Sequence, residues 1–331
     1  MPELRLNLVT REWVIISTER ARRPEDFRQI RNKKNLPKFL ESCPFCPGNE
    51  QKTPGEIMRI PDDSKWLVRV IPNKFAALSA EGDRFRKNEG LRYLVTGIGR
   101  HEVIIESPLH NVPTALLPAE DIANIIRAYK NRFVSVYNSP LTEHVIIFKN
   151  QGEGSGTSIV HPHSQLIGTP VTPFQIRDRV FEARRFFDNT GECLMCASLK
   201  DELSDGRRVI LNTEHFVTFM PYAALSPFHM WIFPKRHSAT FGEIRDDEII
   251  DLGYNLKTIL SKLYYGLENP DFNYVIRSES LKEHDCEYFH WYVSIVPRVF
   301  QASGFELGSG MYTNVSIPEE IADFLRKVKI Q

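Results

Sequence analysis

Apolar and polar positions along this chain follow two different periods, and the same succession of periods occurs twice. Over residues 101–107 they alternate around the β-branched Val103, Ile104 and Ile105, which predicts a strand. From Pro118 the period lengthens. Ile122, Ile125, Ile126 and Tyr129 fall on one helical face, Glu120 and Asp121 occupy the first turn, and the helix stops before Pro140. Strand patterns occur at 13–17, 66–72, 93–96 and 144–149, and Leu166 and Ile167 continue one more. The order then returns. Residues 216–220 and 229–233 read as strands. A helix from about Arg245 to Leu267 carries Ile249, Leu252, Leu256, Ile259 and Leu263 on one face and ends before Pro270. Strands are expected at 273–277 and 291–296, and a short helix at 318–328. Residues 18–55 are basic, Pro-rich and irregular, and the junction at 170–190 is expected to be helical over 174–187. The expected class is α+β: two halves packed side by side, residues 1–172 and 173–331, each an antiparallel sheet with one long helix.

The bulk numbers narrow the function. At 331 residues, with 42% hydrophobic and 25% charged content, the chain can form two ordinary globular cores. Lys plus Arg and Asp plus Glu are 42 each, so neither nucleic acid nor an anionic membrane is an expected partner. No stretch approaches the roughly 20 apolar residues that span a bilayer, and the first residues carry Glu3 and Arg5 rather than an apolar signal core. The expected location is the cytoplasm.

Four of the five cysteines form two Cys-x-x-Cys pairs, and each pair is followed by two well-spaced histidines. The first set is Cys43, Cys46, His110 and His161; the second is Cys193, Cys196, His237 and His290. The histidines are 51 residues apart in the first set and 53 in the second. The texts leading to His110 and His237 also run parallel, Ile-Ile-Glu-Ser-Pro-Leu-His against Trp-Ile-Phe-Pro-Lys-Arg-His. Two thiolates and two imidazoles per set suit a closed tetrahedral zinc site with a structural role, and iron could replace zinc at one of them. Cys286 reads as an ordinary buried thiol. His101, His144, His215, His229 and His284 read as satisfied or exposed histidines without assigned roles.

Only the first set carries a spare histidine, His163 in His161-Pro162-His163-Ser164-Gln165; two residues after His290 stands Tyr292. In a strand, His163 projects to the same face as His161 and lies beside the metal without binding it. A neutral imidazole with one nitrogen held by a carbonyl is a usable nucleophile for phosphorus, and Gln165 can donate amide protons to phosphoryl oxygens. The preceding run, Asn150 to Ser158, contains three glycines, two serines and a threonine and can form an anion-binding concavity.

On these motifs the chain resembles the galactose-1-phosphate uridylyltransferase family, the transferase branch of the histidine-triad superfamily. The resemblance rests also on Arg20-Ala21-Arg22-Arg23-Pro24, on residues 70–78 around Pro72-Asn73-Lys74-Phe75, and on Gly304-Phe305-Glu306. It implies two tandem histidine-triad-like halves and a ping-pong nucleotidyltransferase acting on a nucleotide sugar and a sugar 1-phosphate. In that scheme His163 is the nucleophile and Gln165 the phosphoryl stabiliser. Arg20, Arg23, Asn73, Asn150, Gly156 and Ser158 are nucleotide or phosphate contacts, and Glu306 a hexose contact. The resemblance further implies a homodimer. Where hydrolases of the superfamily carry a third histidine this chain has Gln165, which favours transfer over hydrolysis. The expected reaction is uridylyl transfer between UDP-glucose and galactose 1-phosphate, with ADP-glucose phosphorolysis as the alternative and a non-catalytic zinc-stabilised nucleotide-binding protein as a further one. Ser164, Lys74 and the second Cys/His set lean toward the ADP-glucose:phosphate adenylyltransferase branch.

Overall fold

The computed structural model describes residues 1–28, 36–63, 65–280, 282 and 286–330; His284 and part of the irregular 18–55 stretch lie outside them. The first half supplies β1 (Glu3–Leu6), β2 (Trp13–Ile16), β3 (Met58–Ile60), β4 (Val68–Pro72), the hairpin β5 (Arg86–Glu89) and β6 (Arg92–Val95), β7 (Arg100–Ile105), the helix α1 (Ala119–Tyr137), β8 (His144–Gln151) and β9 (His163–Thr169). Helices α2 (Phe174–Thr190) and α3 (Leu194–Asp205) lead into β10 (Val209–Asn212), β11 (Phe216–Phe219), β12 (Met230–Pro234), α4 (Asp246–Leu267), β13 (Phe272–Arg277) and β14 (Tyr292–Pro297). The chain closes with α5 (Gly304–Ser309), β15 (Tyr312–Asn314) and α6 (Pro318–Lys327).

Ten strands form one sheet in the order β10-β11-β12-β14-β13-β8-β9-β7-β4-β3, and every neighbouring pair is antiparallel. The class is α+β, as expected, but the two halves share a sheet instead of packing as two separate ones. Their seam is the β8–β13 pair, with Asn273 opposite Asn150 and Val275 opposite Phe148. Outward from it, β8-β9-β7-β4-β3 is matched by β13-β14-β12-β11-β10. Pairing the two inner strands removes two sheet edges that would otherwise present unpaired amides.

The pleat sorts the side chains. Val68, Val70, Ile104 and Leu166 enter the large core under α1 and α4, whereas Ile71, Val103 and Ile105 pack on the opposite face with Cys43, Phe45 and Cys46. Each fully buried Ile, Val or Leu contributes about 1.5–3 kcal/mol. The two long helices pack on each other at Gly253, where a Cβ would lie 2.8 Å from the Ala119 carbonyl oxygen, so the approach requires glycine.

Strand β9 begins at His163, inside the extended run expected there, and β7 pairs it from Ile105↔His163 onward. Two helices, α3 and α5, are absent from the sequence expectation. The signal for α5 is the capping box Ser303…Glu306, in which Ser303 N–H and Oγ–H both donate to Glu306 Oε2, at 2.8 and 2.5 Å.

Candidate active site and metal clusters

Because β9 is extended, His163 and Gln165 share one face while Ser164 and Leu166 take the other. His163 is 7% exposed, and its Nδ1–H donates to the His161 carbonyl oxygen at 2.8 Å. That bond fixes the tautomer and leaves the Nε2 lone pair directed away from the backbone. Burial holds the His163 pKa below the ordinary histidine range; the His161 carbonyl works against the shift and the nearby Lys149 charge adds to it. The edge of the Phe45 ring packs on His163 with centroids 5.3 Å apart, and on His161 at 6.1 Å. The first Cys-x-x-Cys turn thus touches the candidate nucleophile through the residue between its cysteines.

Beneath His163, on the helix face, lies a buried polar layer. Lys149 and Glu106 form an ion pair at 2.6 Å with both side chains wholly inaccessible to solvent. Lys149 Nζ also donates to the His163 carbonyl oxygen at 3.2 Å. Thr114 Oγ1, Ser164 Oγ and Tyr129 OH complete the donors around Glu106, and Tyr129 OH meets Tyr274 OH at 2.6 Å. Burial alone would raise the Glu106 carboxyl; the Lys149 charge and the hydroxyl donors reverse this and hold it below the usual range. Nothing in the spacing of Glu106, Lys149, Tyr129 and Tyr274 announces this layer.

Gln165 Oε1 lies 2.7 Å from His101 Nε2 and 3.4 Å from Asn73 Nδ2. Its amide nitrogen has no hydrogen-bond partner among the described residues. His101, which reads from the sequence as a satisfied histidine, is therefore in contact with the candidate site. Asn73, expected at the nucleotide, has its Nδ2 beside His101 Nε2 at 3.0 Å and facing Gln165, while its Oδ1 accepts the Phe75 amide at 2.9 Å.

The glycine-rich loop is held from the second half. Asn273 Nδ2 donates to Asn150 Oδ1 at 2.8 Å and to the Ser155 carbonyl oxygen at 2.9 Å. Gly154 N–H donates to Asp271 Oδ2 at 2.6 Å. Gly152 (φ 84°) and Gly156 (φ 92°) both take left-handed backbone. Ser158 is exposed. Among the described residues, no hydrogen bond joins Arg20, Arg23 or Glu306 to this constellation. The Arg23 amide donates to Asp26, and Glu306 caps α5 and accepts the Thr313 amide at 3.3 Å.

Both Cys/His sets assemble. In each, the four candidate ligand atoms lie within 4.8 Å of one another. Cys43 Sγ is 3.7 Å from His161 Nδ1, and Cys46 Sγ is 3.6 Å from the Nδ1 atoms of both His110 and His161. Metal bonds of about 2.3 Å to sulfur and about 2.0 Å to nitrogen at a tetrahedral angle give an S···N edge of roughly 3.6 Å, so the first cluster fits such an ion. His161 Nε2–H donates to the Ser107 carbonyl oxygen at 2.7 Å, the orienting bond that metal-binding histidines usually make. Burial lowers the His110 pKa and pushes His161 to about 4, keeping both rings neutral and able to ligate. In the second cluster Cys193 caps α3, Cys196 Sγ lies 3.2 Å from the Nδ1 atoms of His237 and His290, and His237 Nε2 faces the Cys286 carbonyl oxygen at 3.3 Å. The buried Cys286 thus contributes through its backbone. The clusters differ in access. The first is wholly buried; Cys196 and His237 of the second are partly exposed and line a hollow of ≈ 420 Å³.

A family model described as galactose-1-phosphate uridyl transferase, N-terminal domain, matches residues 1–173. An ADP-glucose phosphorylase of Arabidopsis thaliana is 38% identical over 99% of this chain and 93% of its own length. A galactose-1-phosphate uridylyltransferase of Thermotoga maritima is 26% identical over the full length of both. Among solved structures, the Arabidopsis thaliana ADP-glucose phosphorylase with bound ADP-glucose superimposes with a TM-score of 0.85 at 35% identity, covering all of both chains. A uridylyltransferase structure superimposes with a TM-score of 0.76 at 25% identity over 99% of this chain and 98% of its own.

Proposed function

The chain belongs to the galactose-1-phosphate uridylyltransferase family and is a nucleotidyltransferase; on that premise we propose that it transfers adenylyl groups, taking ADP-glucose and inorganic phosphate to ADP and glucose 1-phosphate. His163 carries this reading, because its Nδ1–H is engaged at 2.8 Å and its Nε2 is left free to attack. Nε2 forms a bond to the α-phosphorus, the bond from that phosphorus to the bridging oxygen breaks, and glucose 1-phosphate leaves. The ring bears a positive charge in the intermediate, next to a His161 carbonyl that already accepts its Nδ1–H. Phosphate then attacks the same phosphorus, ADP departs and His163 returns to its neutral form. No proton need move in either step, which suits Gln165, a donor without an acid-base function.

Asn150 and the glycine-rich loop would hold the diphosphate. The two Cys/His clusters would each hold a zinc-type ion in a closed, structural role that braces the turn at Phe45 and the entry to β14. The remaining contacts expected from Arg20, Arg23, Ser158 and Glu306, and a homodimeric assembly, belong to the same reading. Adenylyl over uridylyl transfer is favoured by the 38% identity to an ADP-glucose phosphorylase, against 26% for the Thermotoga maritima uridylyltransferase. The first expectation, UDP-glucose with galactose 1-phosphate, therefore yields to its alternative.

The test is a comparison of two mixtures. The protein with ADP-glucose and phosphate should release ADP and glucose 1-phosphate rapidly, and with UDP-glucose and galactose 1-phosphate slowly or not at all. Faster turnover of the uridylyl pair overturns the substrate assignment. A His163→Gly variant that turns over normally overturns the mechanism.

A further inference from the structure

His101 stands outside the reaction just described, yet it faces Gln165, the side chain that would donate to the developing phosphoryl charge. A chain of hydrogen bonds defines its protonation. The Ala77 backbone N–H points at His101 Nδ1 from 3.0 Å. A backbone amide can only donate, so Nδ1 is the acceptor, and a neutral imidazole then carries its proton on Nε2. That Nε2–H faces Gln165 at 2.7 Å, and only the side-chain oxygen of Gln165 can receive it. Asn73 is oriented in the same way. The Phe75 N–H donates to Asn73 Oδ1 at 2.9 Å, which turns Asn73 Nδ2 beside His101 Nε2, at 3.0 Å, and toward Gln165 Oε1, at 3.4 Å; both nitrogens carry protons, so the oxygen is the acceptor they share. Two backbone amides of one loop thus orient two side chains, and both donors converge on one oxygen. The amide nitrogen of Gln165 is what remains for the face it shares with His163.

We propose that His101 is a positioning residue for nucleotidyl transfer: as its Nε2–H tautomer it holds Gln165 Oε1 and so presents the Gln165 amide protons to the phosphoryl group. An amide free to flip would present its oxygen to that group half of the time and repel it. The second half shows what the position does without this duty. There His229, one residue ahead of β12, accepts the Trp231 Nε1–H at Nε2 at 3.1 Å and lies 3.0 Å from Ser294 Oγ on β14, in the half where Tyr292 follows His290. A serine has no amide to orient. The proposal rests on the reading of the site given above.

The experiment is a double-mutant cycle on the full-length, metal-loaded protein with ADP-glucose and phosphate. His101→Leu should lower kcat roughly 10- to 100-fold with KM within about threefold, since it weakens a transition-state donor that alone is worth about 10²–10³. Gln165→Leu should cost the larger factor. The double variant should match Gln165→Leu alone, because His101 acts only through Gln165. His101→Gln, whose amide can reach the same oxygen, should recover activity to within about tenfold of the unaltered protein. Nitrogen NMR of the unaltered protein should show His101 protonated on Nε2, whether or not His101→Leu folds. Independent, multiplicative losses in the double variant overturn the proposal, as does unchanged kcat in His101→Leu or a proton found on Nδ1. Absence of any turnover or labelled protein with the unaltered chain would instead sink the functional reading and leave the tautomer measurement to decide the positioning role.

Discussion

Asp271, at the start of β13, accepts the Gly154 amide at 2.6 Å, so the second half of the chain shapes the glycine-rich loop of the first. The fit leaves no room. A Cβ on Gly152 would lie 1.6 Å from Asp271 Oδ1, and the backbone there is at φ 84°. Gly152→Ala should therefore displace the loop, with kcat/KM for ADP-glucose falling by roughly 10²-fold, as expected when a positioning element shifts by about 1 Å. Steady-state kinetics checks this. Unchanged kcat/KM in a folded Gly152→Ala protein would show that the loop does not hold substrate.

The Lys149–Glu106 pair is fully buried, and removing one partner strands the other's charge. Lys149→Met is expected to cost about 3–5 kcal/mol in urea unfolding. Adding Glu106→Gln to that variant should recover part of the loss, since the orphaned charge is then gone. Equal or greater loss in the double variant would mean that the hydroxyl donors to Glu106, rather than the ion pair, dominate.

The two metal clusters should part with their ions at different rates. The first is wholly buried, while the second has Cys196 and His237 at an open hollow. With an excess of a coloured chelator the native protein should release metal in two phases of about equal size. Cys193→Ser should abolish the faster phase and lower thermal stability while leaving kcat within about twofold, because the second cluster lies in the other half from His163. Loss of the slower phase instead would reverse the assignment.

Acid stability should bear the mark of buried neutral histidines. Burial pushes His144 to about 4 and His229 to about 3, against about 6.5 in an unfolded chain. The folded values lie below the unfolded one, so protons favour the unfolded state. Their stabilising effect is complete above about pH 6.5 and is lost as pH falls toward 4, by up to about 1.4 kcal/mol per pH unit for each ring. His144→Gln should show a shallower decline in urea midpoint between pH 6.5 and 5 than the unaltered protein. Parallel declines would mean that other groups, the metal ligands among them, carry the acid dependence.

Much of the site was legible before any coordinates. Cys43, Cys46, His110 and His161 announce themselves by ligand chemistry and by repetition in Cys193, Cys196, His237 and His290, and His163 stands out as the histidine without a counterpart. The long helices followed from their apolar spacing. Where the reading stopped short, the cause was locality. His101 and Gln165 are 64 residues apart, and a histidine in an alternating strand looks the same whether it orients an amide or fills space. The resemblance made Asn73 a nucleotide contact, and no local pattern shows that a neighbouring amide also turns its side chain toward His101 and Gln165. Helix α5 was missed although Ser303 and Glu306 spell a capping box, because six residues are too few to show a period.

By itself the amino-acid sequence determined the duplicated α+β pattern, the two four-ligand sets and the solitary imidazole between them. Periodicity and ligand type are properties of short stretches and of their repetition. Tertiary structure alone decided that the halves share one sheet through β8 and β13, that Asp271 and Asn273 shape the loop of the other half, and that Lys149 and Glu106 lie buried together beneath His163. These are pairings between distant residues whose partners could have been exchanged without altering any local pattern, so only the packed chain could choose among them.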